Sequence, residues 1–259
     1  QNRYNIKDNA LPLLTTKKMP FKMIVKELLW FISGSTNANV LKNQNVHIWD
    51  ANGSREFLDS RGLTNNKEGD LGPVYGFQWR HYSATYVGME HDYTGEGIDQ
   101  LETCIRMIQE DPFSRRIIMT AWNVSHLDQM ALPPCHMTCQ FYVTENTDGN
   151  KNYLSCQLYQ RSGDIGLGVP FNICSYAILT KMIAHVCNLE ALELIHTIGD
   201  AHIYEPHVSC LEEQLTRQSF DMPTLTFERD IESIDDFVLD DFVLCDYQCH
   251  EAIRMQMAV

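Results

Sequence analysis

Segment 132–136 has the sequence Leu-Pro-Pro-Cys-His and places one cysteine where it could act as a nucleophile. Proline fixes φ and removes a backbone donor, so two successive prolines predict a defined bend. The following segment, 136–144, alternates apolar and polar residues and is typical of a strand. We therefore expect Cys135 at a loop-to-strand junction. A free cysteine is more often a small buried hydrophobe, and this segment alone leaves both interpretations open.

Arginines at the ends of two predicted strands could hold an anion. Arg115 and Arg116 follow a predicted turn and point to opposite sides of a strand, so they could hold an anion and a structural partner. Guanidinium suits phosphate because it donates two parallel hydrogen bonds. The alternative interpretation of this arginine pair is a strand end that faces solvent. Arg161 lies in the polar run 160–164 (Gln-Arg-Ser-Gly-Asp). If it approaches Cys135, its charge favours the reactive thiolate.

Other polar side chains suit the recognition of a sugar and of a heterocyclic ring. Asp200, His202 and Tyr204 alternate along a predicted strand and would share one face, where two hydrogen-bonding rings suit a sugar hydroxyl. A satisfied structural histidine is the alternative. Asn172 stands at the head of an apolar helix, where it could be a cap or could offer a donor and an acceptor to a heterocycle.

A carboxylate and two aromatic residues form a third group of candidates. Glu27 lies on the apolar face of a predicted helix, so it is solvent-facing, paired, or buried with a raised pKa and available for proton transfer. Trp49 and Tyr75 lie at predicted loop edges. They could stack on a flat ligand or close the core.

The composition excludes several classes of protein. The chain has 259 residues, 44% of them hydrophobic and 21% charged, which is ordinary for a globular protein. A net charge of −14 argues against a broad nucleic-acid surface, because affinity for a polyanion comes from clustered Lys and Arg. Nine cysteines without paired spacing argue against a disulfide framework. Cys245, Cys249 and His250 lack a second ligand pair, so we expect no metal.

The sequence also predicts where the protein works. No apolar run is long enough to cross a bilayer, and the first residues lack a charged-then-apolar signal pattern. We therefore expect a soluble cytoplasmic protein without membrane contact. The first residue is not methionine, so we expect the natural chain to begin before Gln1.

The hydrophobic periodicity predicts a mixture of helices and strands in one domain. Helices are expected at 20–32, after 35–36, and at 98–110, 171–187 and 204–216. Strands are expected at 116–122, 136–144, 153–161 and 192–204, with short strands closing the chain, and 50–72 is expected to be a polar surface excursion. The strand at 153–162 has polar residues on both faces, so one face is expected to line a polar cavity and the other to meet a partner. The fold class is α+β.

Together these segments resemble the thymidylate synthase family along essentially the whole chain. The resemblance is carried by the runs 27–31, 69–80, 134–136, 157–164, 168–176 and 199–204. It implies one domain over 1–259, with a large mixed sheet flanked by helices and a sheet face that forms a two-fold homodimer interface. The implied reaction is reductive methylation of dUMP to dTMP, with 5,10-methylenetetrahydrofolate as the carbon and hydride donor and no metal.

The resemblance also implies roles for individual residues. The implied catalytic set is Cys135, which would add to C6 of uracil, with Glu27, Tyr75, Arg161, Asp164 and Asn172. The implied dUMP-binding set is Gln160, Arg161, Ser162, Gly163, Asp164, Asn172, His202 and Tyr204, with Arg115 and Arg116 supplied by the other subunit. The implied folate-facing set is Ile48, Trp49, Asp164, Leu167, Gly168, Phe171 and Ala258, the last in a tail that closes over the ligand.

Three departures and two alternatives accompany this resemblance. A family loop that carries a further phosphate-binding arginine has no counterpart in residues 1–259, Cys174 replaces a small alanine, and 248–251 lacks the usual proline. A cysteine hydrolase using Cys135 with His136 or His202 is one alternative, although it gives Asn172 no role. The other is a nucleotide-binding homologue that is impaired in catalysis.

Overall fold

A five-stranded mixed sheet forms the centre of the fold in the computed structural model, which describes residues 1–149 and 151–257. Its strands are β1 (Asn2–Asn5), β2 (Ile118–Thr120), β3 (His136–Thr144), β4 (Tyr153–Asp164) and β5 (Glu190–His202). They lie in the order β1-β5-β4-β3-β2. β4 and β5 are parallel, and the other neighbours are antiparallel. A separate antiparallel pair is formed by β6 (Thr224–Phe227) and β7 (Phe242–Cys245). The prediction of a mixed α+β fold is confirmed.

The helices of the described chain pack around this sheet. They are α1 (Phe21–Ile32), α2 (Ala38–Lys42), α3 (Arg55–Ser60), α4 (Gly76–His81), α5 (Gln100–Glu110), α6 (Gly168–Val186) and α7 (Val208–Leu215). The predicted helices at 20–32, after 35–36 and at 98–110 are confirmed as α1, α2 and α5. The short helix α4 and the edge strand β1 have no counterpart among the sequence predictions.

The central helix α6 is apolar on nearly all sides and packs against β4, β5 and α1. A helix that is hydrophobic all round is a buried helix, as the sequence predicted for 171–187. It begins earlier than predicted, at Gly168, because Pro170 lies in the first turn, where its missing N–H is not needed. Asn172 therefore lies in the second turn. The interpretation of Asn172 as a helix cap is wrong.

The prediction of a polar surface excursion over 50–72 is wrong in part. The segment contains α3, which begins where the side chain of Ser54 accepts a hydrogen bond from the backbone N–H of Phe57 at 3.2 Å. Leu58, Leu63 and Leu71 are buried in the core. These apolar anchors hold the segment against the fold, and only the polar residues between them face solvent.

The two faces of the sheet differ. Side chains alternate along β3 and β4, and the face towards α6 is apolar and buried. The opposite face leaves large side chains exposed: Ile118 at 46%, Tyr142 at 56% and Tyr159 at 41%. Large exposed hydrophobic side chains on one sheet face are typical of surfaces that contact another molecule.

Candidate active site

The candidate residues meet at one edge of the sheet. The carboxyl ends of β4 and β5 lie there side by side, with Asp164 paired to His202, and the antiparallel β3 starts at the same edge directly after Cys135. Such an edge, where parallel strands end, is a common place for ligand sites in α/β sheets. The sheet therefore brings together residues far apart in sequence.

Cys135 is half-buried on a turn that Arg161 holds in place. The Arg161 guanidinium donates to the carbonyl oxygens of Pro134 at 2.9 Å and Pro133 at 2.8 Å, and its backbone N–H donates to the Cys135 carbonyl at 2.8 Å. Its Nη2 lies 3.8 Å from Cys135 Sγ. A permanent positive charge facing a sulfur favours the thiolate, the nucleophilic form. The prediction that Cys135 lies at a loop-to-strand junction is confirmed.

Tyr75 approaches Cys135 from the opposite direction. Its hydroxyl oxygen accepts a hydrogen bond from the Cys135 backbone N–H at 2.9 Å, so the phenolic proton remains available to another acceptor. Burial raises the pKa of Tyr75 well above its usual value and keeps it a phenol. Its φ is +29°, a strained value for a bulky residue, and such strain persists where the surrounding structure enforces it. The next residue, Gly76, is packed so tightly that a Cβ would lie 2.2 Å from the Phe31 carbonyl oxygen.

His136 does not pair with the cysteine. Its Nδ1 lies 2.9 Å from the Tyr176 hydroxyl, and its ring stacks on Tyr75 with a centroid distance of 4.3 Å. Burial lowers the pKa of His136 to about 3, so the ring is neutral. Among the described side chains, Sγ of Cys135 makes its polar contact with Arg161 and none with a histidine. The geometry disfavours a cysteine hydrolase built on Cys135 and His136.

Glu27 is a buried carboxylate near Tyr75. Its Oε1 accepts a hydrogen bond from Trp49 Nε1 at 2.8 Å, and the Trp49 and Tyr75 rings are 5.7 Å apart. Burial raises the pKa of Glu27 to about 7, although the Trp49 bond favours the charged form. A carboxyl group that titrates near neutral pH suits proton transfer. Of the three alternatives for Glu27, the buried one is confirmed.

This carboxyl predicts a pH-dependent change in stability. The folded pKa of Glu27 is about 7 against 4.5 for an unperturbed glutamate, so folding favours the protonated form and stability falls as pH rises between these values. Glu27→Gln removes that penalty. Relative to the original chain, the free energy of unfolding of the variant should increase by about 2 kcal/mol more at pH 8 than at pH 5. Urea unfolding at both pH values measures the difference, with the exposed Glu56→Gln as control. An equal effect at both pH values contradicts the buried carboxyl.

A chain of amides fixes the orientation of Asn172. Gln160 is 2% exposed, and its Nε2 donates to Asn172 Oδ1 at 2.9 Å and to the Ser162 carbonyl oxygen at 2.9 Å. Gln160 Oε1 accepts from His196 Nε2 at 2.8 Å, and burial lowers the pKa of His196 to about 4, so this ring is neutral. Because both Gln160 Nε2 partners are acceptors, Asn172 Oδ1 faces Gln160 and its amide nitrogen faces away. Asn172 keeps a second lone pair and both N–H donors for a ligand.

Asp164 lies at the end of β4, next to the start of α6. Its Oδ1 accepts from the Gly166 backbone N–H at 2.9 Å and lies 3.6 Å from His207 Nδ1. A Cβ built on Gly168 would lie 3.8 Å from the Asp164 Cβ and 3.9 Å from Asn172 Oδ1. Asp164, Gly168 and Asn172 therefore lie close together.

The strand that carries His202 ends earlier than expected. β5 stops at His202, and Tyr204 precedes a short 3-10 turn over Glu205–His207, so the prediction that Asp200, His202 and Tyr204 share one strand face is wrong for Tyr204. The ladder stops at this point because the partner strand β4 ends at Asp164, which pairs with His202. The two rings still lie together, with centroids 5.1 Å apart, and His202 Nδ1 is 3.3 Å from Asp200 Oδ1.

Arg115 and Arg116 are exposed and do not join this cluster. Ile118 pairs with Gln140 in the sheet, so Arg116 is level with Tyr142, at the opposite end of β3 from Cys135. At about 3.3 Å per residue this separation is roughly 20 Å, longer than an arginine side chain reaches. Neither arginine can contact the Cys135 turn of its own chain.

The expected folate-facing residues differ in burial. Trp49 is buried near Glu27, whereas Ile48, Leu167 and Phe171 are half-buried, and Leu167 and Phe171 flank Gly168. Met255 Sδ would lie 3.2 Å from a Cβ on Gly166, so the C-terminal segment touches the loop that follows Asp164. Ala258, also expected here, lies outside the described residues.

Several residues of this edge were not predicted. Lys17 is buried and donates from Nζ to the Gly166 carbonyl oxygen at 2.6 Å, while His207 is 1% exposed beside Asp164. Tyr176 and His196 support His136 and Gln160. Nothing in the local sequence around these residues indicates that they are buried or that they lie at this edge of the sheet.

Two features are absent from the part of the chain that the structure describes. None of the helices there is both long and apolar enough to cross a membrane. No group of three or more His, Cys, Asp or Glu side chains in the same part of the chain could hold a metal ion.

Comparison with known proteins gives a consistent result. The family model described as thymidylate synthase matches residues 1–259. The chain is 55% identical over 262 residues to thymidylate synthase of Saccharomyces cerevisiae, covering all of this chain and 86% of the yeast protein. It is 56% identical to human thymidylate synthase over 259 residues, 80% of the human protein. It is 54% identical to the bifunctional dihydrofolate reductase-thymidylate synthase of Leishmania major, of which it spans 49%.

Proposed function

Because this chain belongs to the thymidylate synthase family, its reaction is the reductive methylation of dUMP to dTMP, and we propose that Cys135 is the nucleophile. In this reaction Sγ forms a bond to C6 of the uracil ring, and C5 becomes the nucleophilic carbon. One observation carries the assignment: Arg161 holds the Cys135 turn and places its guanidinium 3.8 Å from Sγ. A positive charge in that position favours the thiolate that the addition requires.

The nucleotide is held by the edge of the sheet. Asn172, oriented by Gln160, offers its amide to N3 and O4 of uracil. Arg161 and Ser162 bind the phosphate, and His202 with Tyr204 binds the ribose hydroxyl. Gly163 allows the end of β4 to pack closely against α6, since a Cβ there would lie 2.8 Å from Val169 Cγ2.

Proton transfer falls to Glu27 and Tyr75. Glu27 titrates near neutral pH and acts through ordered water, and Tyr75 has a free phenolic proton beside Cys135 and assists removal of the C5 proton. Each positioned proton transfer of this kind contributes about 10²–10⁴-fold to the rate.

The co-substrate is 5,10-methylenetetrahydrofolate, which supplies the one-carbon unit and the hydride when bound. Trp49, Ile48, Leu167 and Phe171 provide an apolar surface that fits its ring system, and Asp164 provides an acceptor for its polar edge. The C-terminal segment that contains Met255 covers the ligand and excludes water.

A two-fold homodimer completes the site. Arg115 and Arg116 lie roughly 20 Å along β3 from their own Cys135, so we assign them to the phosphate of the partner's site. The exposed face with Ile118, Tyr142 and Tyr159 is the contact surface between the subunits. A cytoplasmic location remains a prediction from the sequence.

An absorbance assay tests the function. Conversion of methylenetetrahydrofolate to dihydrofolate changes the absorbance, and the protein should produce this change only when dUMP is present. Binding of dUMP without the change supports the alternative of a catalytically impaired homologue. Release of p-nitrophenol from activated esters without folate supports the hydrolase instead.

Asn172→Asp should shift the choice of base from uracil towards cytosine. Cytosine presents an amino donor where uracil has O4, and a carboxylate accepts from that donor. We expect the ratio of kcat/KM for dUMP to kcat/KM for dCMP to fall at least about tenfold, since each pocket hydrogen bond contributes about that factor. Asn172→Ala is the matched control, because it removes the amide without adding an acceptor. An unchanged ratio in Asn172→Asp means that the residue does not read the base.

A further inference from the structure

Helix α7 has no buried residue, yet one face of it is fully engaged in contacts. Cys210 and Gln214 are four positions apart and share one face of the helix. His207 lies directly before the helix and Arg217 two residues after it, and both contact the same segment as Cys210. Gln214 donates to Thr16 Oγ1 at 2.9 Å. The other three contact the C-terminal segment.

The C-terminal segment runs antiparallel along this face. His207 Nε2 lies 2.6 Å from the Gln256 carbonyl oxygen, Cys210 Sγ donates to the Arg254 carbonyl oxygen at 3.6 Å, and Arg217 donates to the Glu251 carbonyl oxygen at 2.6 Å. Each contact is from a side chain to the backbone. The segment is thus held by α7 independently of its own side chains.

His207 has a second nitrogen that faces the candidate active site. A carbonyl oxygen only accepts, so Nε2 carries a proton and donates to Gln256, and the other ring nitrogen, Nδ1, points towards Asp164. That Nδ1 is buried without a hydrogen-bond partner among the described residues, 3.6 Å from Asp164 Oδ1. It also lies 2.8 Å from where a Cβ on Gly166 would be. The ring therefore fills the space between Asp164 and the tail.

Lys17 supports the same loop from the other side. Its buried Nζ donates to the Gly166 carbonyl oxygen and lies 4.0 Å from Met255 Sδ. The loop after Asp164 is thereby packed between Lys17, His207 and the tail, with no room for a side chain at Gly166.

We propose that His207 is a positioning residue that links the C-terminal segment to the Asp164 loop, so that the tail is held over the folate surface. The inference rests on the proposed function for its kinetic consequence, although the link itself is a feature of the fold. Asp164 faces the ligands, and Gln256 lies in the covering segment. Loss of the link should weaken the binding of the folate, which the tail covers, and leave dUMP binding unchanged.

Three substitutions distinguish the contribution of Nε2 from that of Nδ1. The amide nitrogen of Gln matches Nε2 of His, so His207→Gln keeps a donor for Gln256. The shorter His207→Asn keeps a polar group beside Asp164 and cannot reach Gln256, while His207→Leu removes both contacts. His91→Gln, at an exposed histidine, is the control for the change of residue type.

The first measurement is tryptic cleavage after the exposed Arg254, followed by intact mass, without ligands. His207→Asn and His207→Leu should be cleaved about tenfold faster than the original chain, the factor expected for one lost hydrogen bond, and His207→Gln within about threefold. Equal protection in all variants overturns the link. This measurement needs no catalysis, so it tests the link even where the proposed function fails.

The second measurement separates positioning from a purely structural role. In His207→Asn and His207→Leu the KM for methylenetetrahydrofolate should rise about tenfold while the Kd for dUMP stays within about twofold, and His207→Gln should restore the KM. A rise in dUMP Kd equal to the rise in folate KM, or an unchanged folate KM, overturns the proposal. If His207→Leu does not fold, the comparison of His207→Asn with His207→Gln tests the proposal, because the two side chains differ by one methylene.

Discussion

Cys135→Ser is expected to reduce dUMP turnover by about 10³-fold or more, since a hydroxyl oxygen is a far weaker nucleophile than the cysteine sulfur that faces the Arg161 guanidinium. Serine is close in size to cysteine, and Cys135 is only half-buried, so the fold should remain intact. The measurement is kcat from the absorbance assay, with thermal unfolding to verify the fold.

A second thiol provides the control for that substitution. Cys245 is also half-buried, at the end of β7, away from the Arg161 turn. Cys245→Ser should retain turnover within about twofold, because surface-type substitutions away from the site change little. Comparable losses in both variants would mean that Cys135 has no special role.

The proposed homodimer with shared sites predicts that two nearly inactive variants regain activity when their subunits are exchanged. Cys135→Ser lacks the nucleophile, and Arg115→Ala/Arg116→Ala lacks the arginines that the register places about 20 Å from their own Cys135. In a mixed dimer with shared sites, one site collects both defects and the other collects none. Random pairing then restores up to about a quarter of the original activity.

The control for this experiment is a demonstration that the mixture contains mixed dimers. Native mass spectrometry establishes that mixed dimers have formed after mild unfolding and refolding. Absence of recovery in such a sample contradicts the shared site, and Arg115 and Arg116 then do not serve the partner's Cys135. A variant that carries all three substitutions on one chain, mixed with itself, should show no recovery.

Local sequence patterns predicted the elements that carry the chemistry. The Pro-Pro bend before Cys135, the apolar periodicity of α1 and α6, and the alternation in β3 and β4 are all properties of neighbouring residues, and the structure has each of them. The sequence analysis could only state what would follow if Arg161 approached Cys135, because this approach depends on how the strands pair. The helix boundary at Gly168 shows the limit, because one early proline shifted Asn172 from a cap into the second turn.

The supporting residues could not be predicted because they depend on contacts between distant parts of the chain. Lys17 and Gly166 are 149 positions apart, and His207 and Gln256 are 49 positions apart. A buried lysine or histidine has no local signal that separates it from an exposed one until the fold supplies its partner. The same reason explains the partly wrong prediction for 50–72, where Leu58 and Leu71 gain their burial from distant segments.

The covalent role of Cys135 is tested most directly with 5-fluoro-dUMP. This nucleotide has no C5 proton to lose, so together with methylenetetrahydrofolate it should arrest the reaction after Sγ has bonded to C6. We expect an intact mass increased by both ligands, and peptide mapping that places them on the peptide containing Cys135. An unmodified protein that nevertheless turns over dUMP, or an adduct on any other cysteine, would contradict this role.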